Sequence, residues 1–310
     1  MYESWEATIA IDFSKHPKFE KQNQHYVPRF WQKHFRDPNG HLFKTERGHY
    51  VQASVADTMT SDWTYLDFDE GWRPTDGVEN QLSQWEGHAS KLIKRSLPTN
   101  TVLNDSDWDS LCAWLGISTS RHPNVLKRHR LLTSAFTLEL ATAHDYQDLN
   151  AFNNHLQQKS GARIDEEEFR YLLTLTQEAI LATAEHVEAM SPYDPLMPQT
   201  DALLARFPVA QTIRKMDLRL IDIPSGSDFV LGSNPLPNKD LSHGFSVPLS
   251  KDVALLCTPP KNADAPARLR SSATPQEVQQ VNLEQIARSE EAIASSMATL
   301  KYWVEKFDSL

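Results

Sequence analysis

A histidine and two glutamates near the N-terminus lie where side chains could share acid–base chemistry. His25 falls in the stretch Gln24–Phe35, just before Pro28, a residue that suits the first turn of a helix. Glu79 and Glu86 stand seven residues apart in a helical pattern, so they occupy one flank about 10 Å apart along the axis. A histidine beside a carboxylate could act as a general base on water. Two plainer interpretations stay open: a histidine bonded to backbone within an aromatic core, and glutamates on a solvated flank.

Helical periodicity dominates the part of the chain that would position these groups. The helix with the two glutamates carries one apolar stripe, formed by Val78, Leu82, Trp85, Ala89 and Leu92. Further helices are predicted from Asp105 to about Arg121, from Asn124 to about Thr142, and from Asp165 past Val187. The proline-containing stretch 191–195 stops the last of these and is the best candidate for a hinge.

Strand patterns occur at the two ends of the chain. His41–Arg47 and Tyr50–Val55 predict a β-hairpin across Gly48. Short apolar runs in the C-terminal third predict a small antiparallel sheet; they are Met216–Leu220, Phe229–Leu231, Phe245–Val247 and Val253–Cys257. A capping box at Thr274 starts a last helix that is predicted to run to about Lys306, with Ile293 facing inward.

These patterns together predict an α+β fold that is mostly helical, with an N-terminal β-hairpin and a small antiparallel sheet in the C-terminal third. Residues 1–23 are predicted to form an N-terminal arm. The helical region with its hairpin covers 24–190, and the sheet with the last helix covers 191–310. We expect the last two regions to pack as one domain, because the chain has 310 residues and 40% of them are hydrophobic.

Composition restricts the function classes. The formal net charge of −10 makes nonspecific nucleic-acid binding unlikely, although a local basic groove stays open. Cys112 and Cys257 form no disulfide framework, and no signal-peptide pattern or long apolar run occurs, so we expect a cytoplasmic protein without a membrane span. No Gly-rich phosphate loop occurs, and the His and Cys spacings fit no zinc site, so no metal ligand is predicted.

The sequence also resembles the DUF4238 family, a bacterial and phage family without an established activity. The resemblance lies in Gln24–Phe30 with Phe35, Val78-Glu79 and Trp85-Glu86, Arg121-His122-Pro123, Phe229–Pro235, Val247–Ser250, and Asn282 on the last helix. It spans about residues 24–295 and departs from the family pattern at Ser233, where the family has Asp. The resemblance implies a fold and candidate positions, but no reaction.

The positions that the resemblance implies complete a candidate cleft. His25, Glu79, Glu86, Arg121 and Asn234 are the candidate catalytic residues, and Arg29, Ser233 and Asn282 are the candidate substrate-binding residues. Arg121 could hold a phosphate through two hydrogen bonds, and Asn234 could orient substrate or stabilise an oxyanion. A buried polar network that fixes packing is the competing interpretation of the same residues.

Two functions follow from this set. One is a hydrolase or transferase acting on a phosphate-bearing substrate, a nucleotide or RNA, through a His/Glu/Arg/Asn cleft. The other is a non-enzymatic protein-binding factor, for example in phage–host conflict, and Ser233 in place of an acid would fit a lost activity. Whether the protein is an enzyme stays open on sequence alone. No cofactor, metal or partner is identified by the residues.

Overall fold

Helices and strands are interspersed along the chain, so the predicted α+β class is confirmed. The computed structural model describes residues 23–46, 48–62, 64–65, 67–68, 74–75, 77–98, 101–160, 162–182, 208–237, 241 and 243–310. The chain divides into two compact units, Met1–Pro123 with Asp201–Leu310, and Asn124–Thr200. The predicted arm (apart from Asn23), the predicted hinge at 191–195 and the predicted boundary at residue 191 lie outside the described residues.

Several helices begin at capping residues in the sequence. They are α1 (Arg29–Gln32), α2 (Gly77–Ser96), α3 (Asp105–Ser118), α4 (Pro123–Leu140), α5 (Leu149–Ser160), α6 (Glu166–Thr174), α7 (177–182), α8 (208–214), α9 (Pro275–Arg288) and α10 (Met297–Asp308). The side chain of Asn104 accepts a hydrogen bond from the backbone of Asp107 at the start of α3, and Thr274 does the same with Glu277 at α9. In both caps the acidic side chain also accepts a hydrogen bond from the backbone N–H of the capping residue, as a capping box requires.

The strands of the larger unit are short. They are β1 (Asn23–His25), β2 (Leu42–Glu46), β3 (His49–Ala53), β4 (Thr60–Asp62), β5 (Asp67–Phe68), β6 (Pro74–Thr75), β7 (Asp217–Asp222), β8 (Leu231–Gly232), β9 (Phe245–Pro248), β10 (Val253–Thr258), β11 (Arg268–Ser272) and β12 (Glu291–Ala294). β1 pairs with β4, and β5 pairs with β6.

The predicted hairpin forms, but it is part of a larger sheet. β2 and β3 pair antiparallel, and the order of this four-stranded sheet is β3-β2-β12-β8. The predicted last helix is therefore wrong over its middle: α9 ends at Arg288, β12 follows, and α10 restarts after Ser296. Ile293 lies on β12 opposite Lys44, not on a helix. The helical prediction is wrong here because Ala292, Ile293 and Ala294 are consecutive and all buried, as in a buried strand. Alanine is also common in helices, so the sequence does not distinguish the two.

The C-terminal sheet is also only partly as predicted. Its order is β11-β7-β10-β9; the β10 pairings are antiparallel, whereas β11 runs parallel to β7. The run Phe229–Leu231 was expected in this sheet, but its end pairs with β12 in the other one. The ion pair between Arg270 and Asp222 joins the two parallel strands, and the same arginine donates to the carbonyl groups of Ser96 and Leu97 at the end of α2.

Aromatic packing fixes the segment that follows His25. Trp31 and Phe35 are fully buried, and the Trp31 indole donates to the carbonyl of Pro248 at 2.9 Å. The Trp31 ring packs edge-on against Trp114 of α3, with ring centroids 4.5 Å apart. The short helix α1 is thus held from two sides, so the position of His25 relative to α3 is set by the core.

The smaller unit has its own apolar core. Phe152 and Leu156 of α5 pack with Phe169 and Leu172 of α6. The single long helix predicted from Asp165 is wrong in one respect: it ends at Thr174, and a new helix begins at 177 with the Thr176 hydroxyl accepting from the backbone of Ala179. None of the helices in the described part of the chain combines the length and apolar character needed to cross a lipid bilayer.

Candidate functional site

His25 is held at the end of β1 with one ring nitrogen occupied. Its Nε2 lies 2.7 Å from the carbonyl oxygen of Val55, and its backbone pairs with Thr60 of β4. A carbonyl can only accept a hydrogen bond, so Nε2 carries the proton and Nδ1 carries the lone pair of the neutral ring. Among the residues that the structure describes, Nδ1 has no hydrogen-bond partner. The free nitrogen is thus the one that could take a proton.

The surroundings of His25 keep its ring neutral. Burial lowers the pKa of His25 below its usual 6.5, and the nearby guanidinium groups of Arg29 and Arg121 lower it further. The hydrogen bond to Val55 and the charge of Glu86 act in the opposite direction but do not offset burial. A neutral imidazole with a free lone pair is the form that general-base chemistry requires.

Arg121 lies behind His25 and is used by the protein itself. Its side chain is 4% exposed; Nη1 donates to Glu86 Oε1 at 2.6 Å, and Nη2 donates to the carbonyl of His25 at 2.9 Å. Nε donates to the hydroxyl of Tyr65 at 3.4 Å. The predicted role as a phosphate ligand therefore does not fit, because the guanidinium is sealed and each of its nitrogens is bonded within the chain. Arg121 positions the main chain of His25.

Tyr65 completes this network, and nothing in the sequence pattern had singled it out. Its hydroxyl donates to the carbonyl of Arg121 at 2.7 Å, and its backbone N–H donates to the side chain of the buried Gln24. Burial raises the pKa of Tyr65 to about 12, with Arg121 lowering it and Glu79 and Glu86 raising it. Glu79 thus lies near the network on the same flank of α2 as Glu86. Glu86 is bonded to Arg121, and Glu79 is close enough to raise the pKa of Tyr65.

Arg29 is the cation that solvent can reach beside His25. It opens α1, its side chain is exposed, and it is close enough to His25 to lower the pKa of that ring. No side-chain partner of Arg29 occurs in the described part of the chain. Arg29 is thus exposed and near His25, whereas Arg121 is buried.

Ser233 and Asn234 follow β8 on a second face of the site. The Ser233 backbone donates to the carbonyl of Glu291 at 2.7 Å, and the Glu291 backbone donates to the Ser233 hydroxyl at 3.3 Å. Ser233 is 2% exposed. The backbone of Asn234 donates to the hydroxyl of Ser289, while its side-chain amide has no partner within the described residues. Asn234 thus keeps a polar group for a ligand, and Ser233 does not.

Glu291 connects this second face to the His25 segment. Its Oε2 accepts from the backbone of Met59 at 3.3 Å, and the Met59 carbonyl accepts from the backbone of Tyr26 at 3.2 Å. The Tyr26 ring in turn meets the ring of His122 edge-on, with centroids 5.0 Å apart. Sequence analysis missed Glu291 because it placed that residue inside a continuous helix.

His122 is the second neutral histidine of this region. Burial lowers its pKa, and the charge of the exposed Glu290 acts against that decrease. The side chains of the neighbouring residues Arg121 and His122 thus contact different partners. Arg121 enters the network with Glu86 and Tyr65, whereas His122 packs on Tyr26.

Asn282 does not belong to a substrate site. It is fully buried; its Oδ1 accepts from the backbone of Val230 at 2.8 Å, and its Nδ2 donates to the carbonyl of Asp228 at 3.1 Å. Gln285, one turn later, bonds in the same way to Gly232 and Pro235. Both amides satisfy the backbone of the segment that α9 covers, so the predicted substrate-binding role of Asn282 is withdrawn.

Gly232 is the point of closest approach between β8 and α9. A Cβ atom there would lie 2.1 Å from the Ser289 hydroxyl and 2.7 Å from the carbonyl oxygen of Gln285. We expect Gly232→Ala to cost about 1–3 kcal/mol of unfolding free energy, because backbone must shift. Gly87→Ala is the matched control: open space surrounds Gly87 on α2, so the same change should stabilise by about 0.5–1 kcal/mol. Urea unfolding of both variants measures the contrast, and equal effects would contradict it.

The described residues contain no cluster of three or more His, Cys, Asp or Glu side chains that could hold a metal ion.

Of the predicted site residues, the structure brings together His25, Glu86 and Arg121, with Glu79 and the exposed Arg29 near them. Ser233 and Asn234 lie on a second face, which the hydrogen bonds of Glu291 link to this group.

A family model described as a protein of unknown function, DUF4238, matches residues 23–299. No curated protein and no solved structure matches the chain.

Proposed function

Because this chain belongs to the DUF4238 family, whose description names no activity, we propose its function from the histidine site. We propose that the protein is a hydrolase or transferase that acts on a phosphate-bearing substrate, a nucleotide or an RNA. The observation that carries the proposal is His25 itself: Nε2 is fixed on the Val55 carbonyl, Nδ1 is unpartnered within the described chain, and the ring is kept neutral.

The reaction needs a proton acceptor and an anion-binding group. In hydrolysis, Nδ1 of His25 takes a proton from water as the water oxygen bonds to phosphorus. The bond from phosphorus to the leaving oxygen then breaks, this oxygen takes a proton from solvent, and the imidazolium releases its proton to solvent. In transfer, a substrate hydroxyl replaces the water. Proton transfer of this kind contributes about 100- to 10,000-fold to rate.

Arg29 is the group we assign to the phosphate. Its side chain is exposed and near enough to lower the pKa of His25, and a planar fork of N–H donors matches two phosphate oxygens. Glu86 and Arg121 act indirectly, because Arg121 donates to the carbonyl of His25 and is itself neutralised by Glu86. Asn234, with its free amide on the neighbouring face, would orient the substrate.

The test is a screen of the full chain against phosphomonoesters, a chromogenic phosphodiester, nucleoside triphosphates and single-stranded RNA. For the best substrate, we expect Arg29→Gln to raise KM about 10- to 100-fold with kcat changed far less, because a charged hydrogen bond to phosphate is lost. Arg170→Gln, a highly exposed arginine on α6 in the smaller unit, is the matched control and should leave KM unchanged.

The alternative, a protein-binding factor, predicts a different outcome from the same preparation. It expects no turnover in the screen and a stoichiometric partner in a pull-down from host cells. That partner should also bind equally to the Arg29→Gln variant. The described residues offer no observation that favours this alternative over the histidine site.

A further inference from the structure

A cavity between α2 and α3 lies outside the site proposed above and uses different residues. Its volume is about 510 Å³, within the range of small-molecule sites. Four buried side chains form its apolar floor: Ala89, Leu92, Trp114 and Ile117. The rim is formed by Trp85, His88, Lys91, Arg95, Ser110, Ala113 and Ala210.

The rim places two cationic side chains and a histidine along one edge of the apolar floor. His88, Lys91 and Arg95 succeed one another at intervals of three and four on α2, so they form one row. Arg95 is paired with Asp107, whereas neither His88 nor Lys91 has a carboxylate partner within the described residues. An unneutralised cation above an apolar surface is complementary to an anionic group attached to an apolar body.

Aromatic side chains form part of the cavity wall. The indole N–H of Trp114 is buried and has no acceptor among the residues described. Its ring is fixed by edge-on contact with Trp31, so it is part of a rigid wall. Trp85 lies on the rim of the same cavity, which gives an aromatic ligand a second flat side chain for contact.

We propose that this cavity binds a small amphipathic anion, an aromatic or aliphatic body with one carboxylate, sulfonate or phosphate group. The apolar part lies on Ala89, Leu92, Trp114 and Ile117, and the anionic group is held by Lys91. The lining covers α2 from residue 85 to 95, about 15 Å of helix, which suits a small molecule rather than a long helical partner.

The proposal is tested with two fluorescent probes of similar body: anilinonaphthalene sulfonate, an amphipathic anion, and phenylnaphthylamine, which lacks the sulfonate. The full chain should bind the sulfonate at one saturable site. Lys91→Glu should weaken that binding about tenfold or more and leave the uncharged probe unchanged. Ala113→Trp, which fills the mouth of the cavity, should remove binding of both probes.

Lys159→Glu, an exposed lysine on α5 in the smaller unit, is the control for the charge change and should leave both probes unaffected. Calorimetry gives the stoichiometry, and near-UV circular dichroism shows that each variant is folded. The proposal is overturned if Lys91→Glu binds the sulfonate normally, or if Lys159→Glu weakens it as much. Binding that does not saturate, or that survives Ala113→Trp in a folded protein, overturns it as well.

Discussion

The substitution His25→Gln is expected to reduce turnover of a phosphate-bearing substrate by roughly 100- to 10,000-fold, because it removes the proposed base. A glutamine amide can still donate to the carbonyl of Val55 from about the place of Nε2, so the fold should be retained. It offers no nitrogen lone pair where Nδ1 lies. Steady-state kinetics of His25→Gln therefore separate a catalytic histidine from a packing histidine.

The pH profile of the unmodified protein gives the same answer independently. The active form of His25 is neutral, and burial lowers its pKa below 6.5. The acidic decline of kcat/KM should therefore be centred below pH 6.5, so that kcat/KM at pH 6.5 still exceeds half of its plateau value. An acidic decline centred above 6.5 would contradict this assignment.

His155→Gln is the matched control for the substitution. This histidine lies on α5 of the smaller unit, bonded to Glu139 at 2.6 Å. Its replacement by glutamine should leave turnover unchanged. If His25→Gln retains full activity, or if it unfolds the protein, His25 is a structural residue and the proposed mechanism fails.

Arg121→Met is expected to lower the unfolding free energy by about 3–5 kcal/mol, the usual cost of removing one partner of a buried ion pair. Methionine removes donors to Glu86, Tyr65 and the carbonyl of His25 at once. Burial alone would lower the pKa of Arg121, but Tyr65 and Glu86 raise it above its usual value, so its charge is retained. Glu86 keeps 24% of its side chain exposed, which favours the lower half of the range.

Urea unfolding measures this loss, and the melting temperature should fall by about 2–4 °C per kcal/mol. Arg170→Met is the matched control: Arg170 pairs with Glu166, and the two side chains are 76% and 59% exposed, so its removal should cost less than about 1 kcal/mol. Adding Glu86→Gln to Arg121→Met should recover part of the loss, because no unpaired carboxylate then remains. A change of less than 1 kcal/mol in Arg121→Met would show that the network contributes little.

Local signals predicted the parts of the fold that local chemistry decides. The capping box at Thr274 and the hairpin turn at Gly48 act within a few residues, and both are found in the structure. The strand at Ala292–Ala294 could not be predicted in this way, because its conformation depends on β2 and β8. The parallel pairing of β11 with β7 is likewise set by packing, not by the pattern of either strand.

Three of the predicted site residues contact one another in the structure, but the spacing did not indicate what they contact. Sequence reasoning selected His25, Glu86 and Arg121, which the structure brings into one network, but side-chain direction was not readable from spacing. Arg121 therefore changed from substrate ligand to internal support, and Asn282 from ligand to packing residue. Glu291 was missed because its contact with Met59 joins segments far apart in the sequence.

The pairing of β12 with β2 has a consequence for biosynthesis. While the ribosome extends the nascent chain, the hairpin emerges before β12, and the free edge of β2 stays open until Glu291–Ala294 leave the exit tunnel. An exposed strand edge is a site for unwanted association, so premature termination before residue 291 should yield insoluble fragments. This sheet therefore closes only after Glu291–Ala294 have been synthesised.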